Sequence, residues 1–258
     1  MSDFGSTTPI HLDRGEGKGL ATGTLGLWGS TVIGLASTAP VYSLVATLGF
    51  VVLAVGAQAP IAFIIAFVPM LFIAFAYREL NNEMPDCGTT FTWGTKAFGP
   101  WVGWMGGWGV AVAGMVVLAN LAQIASVYFW DLFGLELEND DWRIVLVAVA
   151  FIAAMTWVSW RGVEIGERIQ NVLLAVQYLV LAIFVVVSLT GYFTGTAPDP
   201  TPFSWEWLNP FAFTDFHGFT EAVLLALFIY WGWDTCLALN EETKDPKRTP
   251  GRAALLTT

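Results

Sequence analysis

The sequence predicts an all-α membrane protein of six transmembrane helices, and three observations carry that prediction. The chain of 258 residues is 55% hydrophobic, only 12% charged, and has a mean hydropathy of +0.62. Soluble domains average about 25% charged residues, so this chain lacks the polar side chains to cover a globule of its own size. Long stretches contain no charge at all, the longest being the 59 residues 19–77. The basic residues are also distributed unevenly along the chain, in a way that orients the spans.

Each segment follows in order. Residues 1–20 are polar, hold Asp3, Asp13, Arg14, Glu16 and Lys18, and lack the basic-then-apolar layout of a cleavable leader; they read as a cytoplasmic tail. The charge-free run 19–77 is far longer than the roughly 20 residues one span requires. It divides into spans 1 and 2 at 49–60, where Gly56, Gln58 and Pro60 supply turn chemistry. Charge-free stretches at 97–130, 144–160 and 169–198 are spans 3, 4 and 5. Residues 222–240, interrupted only by Asp234, are span 6. The resulting division is a tail at 1–20, a six-helix transmembrane domain at 21–240, and a cytoplasmic loop with the start of a seventh helix at 241–258.

With the amino terminus in the cytoplasm, Arg14, Lys18, Arg78, Lys96, Arg161, Arg168, Lys244, Lys247, Arg248 and Arg252 all fall on the inner side. Only Arg143 is left outside, among Asp131, Glu136, Glu138, Asp140, Asp141, Asp199 and Glu206. An odd number of spans would scramble this partition. Tryptophans 101, 130, 142, 157, 160, 205 and 207 sit near span ends, where amphipathic rings settle. A net charge of −10 excludes nucleic acid as a partner, since nothing here neutralises a run of phosphates. Cys87 and Cys236 lie in unlike contexts and suggest neither a disulfide framework nor a metal site; no cofactor is expected.

Span 1 crowds Gly34, Ala36, Ser37, Thr38 and Ala39 ahead of Pro40. Proline removes a backbone donor and clashes one turn back, so the helix is expected to unwind within 34–40. Span 6 offers a second break at Tyr230-Trp231-Gly232-Trp233-Asp234-Thr235. Irregular backbone at membrane depth requires a polar cavity, and two interrupted helices in corresponding positions point to a transporter's binding site. Packing by small residues is the competing explanation for span 1. Asp234 shifts the balance: thirteen residues from Glu221 place it roughly 20 Å into a core of about 30 Å. A carboxylate there costs about 2.5–3.5 kcal/mol on insertion scales.

Four stretches resemble the amino acid-polyamine-organocation transporters. They are Ala76-Tyr77-Arg78-Glu79-Leu80 through Met84-Pro85, Gly88, Phe91 and Phe98-Gly99-Pro100-Trp101 to Gly107-Trp108; Arg161-Gly162-Val163 with Arg168-Ile169-Gln170-Asn171; Gly232-Trp233-Asp234 through Glu241-Glu242 to Lys244-Asp245-Pro246-Lys247-Arg248 and Pro250; and Ile33-Gly34 with Pro40. Departures are Thr89 where glycine is usual, Phe91 where tyrosine is, and the Ala36-Ser37-Thr38 core of span 1. Some members carry a lysine in span 5, near the position that Gln177 holds here, proposed to take part in proton coupling; Gln177 cannot ionise, so that mechanism is not carried over.

The resemblance implies a leucine-transporter-type fold with broken helices 1 and 6, of which this chain holds the first inverted repeat (helices 1–5) plus helix 6. It implies secondary active transport of amino acids or related amines by alternating access in the cell membrane, with protons or another ion as coupling partner. The substrate-binding residues implied are Gly34, Ser37, Thr38, Ala39, Phe228, Trp231 and Gly232, with Tyr230 beside them; Asp234 is the coupling residue. The alternative is a non-transporting half-molecule or interaction subunit. An intramembrane enzyme is disfavoured, because His11 and His217 lie outside the spans and Asp234 has no second carboxylate beside it for acid–base work.

Overall fold

The computed structural model describes residues 23–138, 140–198, 200–213 and 215–258. The tail expected at 1–20 and the acidic position Asp199 lie outside the described residues. The described chain is helical: α1 (Leu27–Thr38), α2 (Pro40–Val55), α3 (Ala59–Glu83), α4 (Thr90–Phe98), α5 (Pro100–Leu132), α6 (Trp142–Trp160), α7 (Val163–Thr194), α8 (Phe216–Ile229), α9 (Thr235–Ala238) and α10 (Thr249–Thr257). Single 3₁₀ turns occupy Gly56–Gln58, Trp205–Leu208 and Asn240–Glu242. Extended pairing among the described residues is confined to one parallel bridge, Leu25 with Thr243.

Local chemistry explains where the elements start and stop. Gly56, at φ +60°, turns α2 into α3, so the break expected across 49–60 is confined to three residues. α3 runs on to Glu83, taking Arg78 and Glu79 into the helix, and it carries Pro69 without ending. The loop expected after it contains α4. Gly99, at φ +94°, reverses the chain into α5, and close approach is enforced, since a β-carbon on Gly94 would stand 3.2 Å from the Gly103 Cα. Asp141 caps α6 by accepting from the Arg143 amide at 2.9 Å, and its ion pair with the Arg143 guanidinium (2.7 Å) holds its carboxyl below the usual range. α7 opens after Gly162 (φ +119°), six residues before the expected 169, because Glu164, Glu167 and Arg168 prolong it as good helix formers.

Among the described residues, four stretches are long and apolar enough to cross a membrane: Leu27–Glu83, Pro100–Leu132, Trp142–Trp160 and Ile165–Thr194. The first contains α1, α2 and α3. α8 has 14 residues, short of a span by itself. Large apolar side chains face outward throughout, including Leu53, Phe72, Trp101, Phe184 and Leu224. In water such a surface would drive association; in lipid it is the solvent-facing side of the molecule. The chain is a membrane-embedded multi-pass protein.

The interior is built from small residues. One buried cluster joins Ala74, Trp233, Cys236, Leu237, Ala253 and Ala254, and a second joins Val51, Ala59, Ala62 and Ala222. Alanine at these crossings lets backbones approach where lipid supplies no hydrophobic drive for helix association. α2 and α3 thereby pack on α8, while α1 packs on α7 and α10. This brings the ends of α1 and α8 to the same place.

Candidate functional site

The first interruption is a single residue. α1 stays helical through Thr38, Ala39 takes the left-handed conformation (φ 46°, ψ 59°), and Pro40 opens α2. The unwinding expected across 34–40 is thus concentrated at Ala39. Pro40 has no N–H to offer the Ala36 carbonyl. Local bonds hold the joint: the Ala39 amide donates to Leu35 O (3.0 Å), Thr38 Oγ1 to Gly34 O (3.0 Å), Ser43 Oγ to Thr38 O (2.8 Å) and the Ser43 amide to Ala39 O (2.9 Å).

The second interruption covers 230–234, between α8 and α9. The Tyr230 and Trp231 amides close the last turn of α8 onto Leu227 O and Phe228 O, each at 3.2 Å. Gly232 then turns at φ +114°, and the Thr235 and Leu237 amides start α9 from Gly232 O (3.2 Å) and Asp234 O (2.9 Å). Tyr230 anchors the segment, its hydroxyl donating to Phe63 O of α3 at 3.2 Å.

The two interruptions touch. A β-carbon on Gly232 would lie 2.7 Å from Ser37 O and 2.9 Å from Thr38 N. Ser37 Oγ and Thr235 Oγ1 are hydrogen-bonded at 2.7 Å. Ser37 is exposed, and Thr38, Ala39, Gly232 and Asp234 are half-buried. Exposed and half-buried hydroxyls, a carbonyl end and a helix start therefore meet over a few residues. The helix end supplies carbonyl acceptors, and the hydroxyls of Ser37, Thr38 and Thr235 can donate or accept.

Sequence reasoning did not single out Thr235 as a contact to span 1; its only signal is a hydroxyl adjoining Asp234. Gly34 is placed elsewhere. It is buried, and a β-carbon there would stand 2.6 Å from Thr257 Oγ1, so it faces the packing of α1 on α10. Phe228, 43% exposed near the end of α8, lines an open groove of about 590 Å³ with His217, Thr220, Glu221, Leu224 and Leu225. Its ring is 6.1 Å from that of Trp231.

Asp234 starts α9 without a side-chain capping bond and has no ion pair among the described residues. It follows Trp233 directly in the chain, and Trp233 is buried in one cluster with Cys236, against which Tyr77 packs. Tyr77 stands edge-on between Trp93 (5.4 Å) and Trp233 (5.3 Å), and Cys236 Sγ donates to Trp233 O at 3.0 Å. Asp234 therefore borders an aromatic cluster that joins α3, α4 and the second interruption. The Gln177 amide nitrogen on α7 is enclosed and has no partner among the described residues. Near the end of α3, Asp86 Oδ1 accepts from the Gly88 amide (2.8 Å) and Thr92 Oγ1 (2.7 Å). That carboxylate works as a turn cap.

Residues 25–257 match the amino acid permease family. The chain is 29% identical to the low-affinity putrescine importer PlaP of Escherichia coli over 237 residues, which are 91% of this chain and 50% of that protein. It is 25% identical to the branched-chain amino acid permease BcaP of Lactococcus lactis over 195 residues (71% and 41%). It is 24% identical to the methylthioribose transporter of Bacillus subtilis over 200 residues (73% and 41%). The chain spans about half the length of the curated relatives it matches. No solved structure matches it.

Proposed function

The chain belongs to the amino acid permease family, and on that premise we propose that it forms the amino-terminal part of a secondary active transporter for amino acids or related amines in the cell membrane. In this reading the fold is of the leucine-transporter type. The tail at 1–20 and the segment 241–258 are cytoplasmic, and six spans lie between 21 and 240. α1 with α2 forms span 1, and α8 with α9 forms span 6.

The observation that carries the proposal is the contact of Gly232 with the Ser37 carbonyl. It supports a substrate seat at the meeting of the two interruptions, with backbone groups near Ser37, Thr38, Ala39 and Gly232 serving the charged ends of a zwitterion or amine. Phe228 and Trp231 cover it from α8. Asp234 couples occupancy to movement of α9, driven by protons or another ion. Alternating access then consists of the seat opening to one side of the membrane at a time.

Uptake of radiolabelled amino acids and diamines into proteoliposomes, with and without a proton gradient, tests this reading. Saturable, gradient-dependent uptake of an amine or amino acid is expected. Uptake that requires a second polypeptide carrying further spans would instead favour the interaction-subunit reading.

A further inference from the structure

Beyond α9 the chain returns to the segment that precedes α1. Glu242 O accepts three bonds there, from the Thr24 amide (2.9 Å), the Leu25 amide (3.1 Å) and Thr24 Oγ1 (3.3 Å). The Lys244 amide donates to Leu25 O at 2.9 Å, completing the bridge between Leu25 and Thr243, both of them buried. Asn81 of α3 secures the same corner. It is fully buried, donates to Pro246 O (2.9 Å) and Lys247 O (3.1 Å), and accepts from Asn240 Nδ2 (3.1 Å).

The side chain of Glu242 fits this corner poorly as an anion. The residue is only 9% exposed, and its Oε2 is enclosed without a hydrogen-bond partner among the described residues. The charged groups on the elements that meet here do not compensate it. Arg78 of α3 pairs with Glu79, Asp86 caps its own turn, and among the described residues no ion pair joins Lys244 or Arg248 to the Glu242 carboxyl. An unpaired buried carboxylate costs far more than a neutral acid. Burial accordingly pushes the Glu242 carboxyl above the ordinary glutamate value of 4.5.

We infer that residues 24–25 and 242–244 form a proton-dependent latch, closed while Glu242 is protonated and released when it ionises. The closed latch ties the segment that precedes α1 to the exit of α9. Ionisation favours the open arrangement because water then solvates the carboxylate. The sign follows from linkage: a group whose value is raised in the closed state stabilises that state fully below its ordinary value, and the stabilisation is lost as pH rises through the raised one. The bearing of the latch on transport rests on the proposed function, since release would free α1 and α9 on one side of the substrate seat.

Hydrogen exchange of the chain in lipid nanodiscs tests the latch without any uptake assay. The readout is protection of the Thr24, Leu25 and Lys244 amides, corrected for the free-chain rate at each pH. Above pH 4.5 protection should fall by up to about tenfold per pH unit until Glu242 is ionised. Glu242→Gln should keep the latch protected with no such slope. A flat wild-type profile, or a Gln variant with the wild-type slope, overturns the inference. Asn81→Ala supplies a second variant: it should lower protection at every pH and leave the slope intact, and loss of the slope in it would also overturn the assignment to Glu242. Failure of uptake leaves these outcomes unaffected.

Discussion

Gly232 lies against the carbonyl of Ser37, so close that a β-carbon at 232 would stand 2.7 Å from the oxygen. Two helix interruptions nearly 200 residues apart in sequence are thereby held in direct contact, with the Ser37–Thr235 hydroxyl pair beside them.

Gly232→Ala meets two obstacles. The φ of +114° is strained for any side chain, and the added carbon collides with backbone, which cannot rotate away. A loss of about 1–3 kcal/mol is expected from overpacking. It should appear as a lower thermal midpoint together with weakened substrate binding. A variant with wild-type stability and binding would show that the two interruptions do not need to touch.

Gly34 provides a contrast. Its neighbour is Thr257 of α10, so Gly34→Ala should loosen α1 from α10 rather than remove a ligand contact. Thr257→Ala in the same chain should restore much of the lost stability, because it vacates the space that the new methyl requires. Failure of that rescue, with binding lost and stability unchanged, would return Gly34 to the substrate seat.

Asp234→Asn preserves shape and removes ionisation. Under the proposed coupling role, transport by the variant should slow and lose its pH dependence, while the thermal midpoint stays near wild type. Transport at the wild-type rate with an unchanged pH profile would make Asp234 a structural acid.

Asp215 caps α8, accepting from the His217 amide at 3.0 Å and the Gly218 amide at 2.9 Å. These bonds hold its carboxyl below the ordinary aspartate value of 3.8. Its contribution is therefore complete above that value and declines as pH falls through the lowered one. Faster exchange of the first-turn amides of α8 is expected on acidification, and Asp215→Ala should show it already at neutral pH. Equal exchange in variant and wild type at neutral pH would mean that the cap does not hold the turn.

Much of this protein is written in local chemistry. Charge-free runs identify an apolar, helical, membrane-embedded chain, because the cost of placing charge in hydrocarbon is a property of each segment by itself. Pro40 and Gly232 mark interruptions for equally local reasons, a missing donor and a permitted positive φ. The motifs around Arg78, Arg168 and Asp234 carried the family resemblance, which the match over 25–257 established. Tertiary structure decided the rest. Which small residue faces a partner helix, as Gly34 faces Thr257, and which borders the other interruption, as Gly232 borders Ser37, depends on helix rotation and crossing. So does the pairing of Thr24 and Leu25 with Glu242, 218 residues away for the Thr24 hydroxyl. Burial cost and backbone propensity act within a few turns of chain, whereas contact between distant segments is chosen by how whole helices pack, and only the folded chain settles that choice.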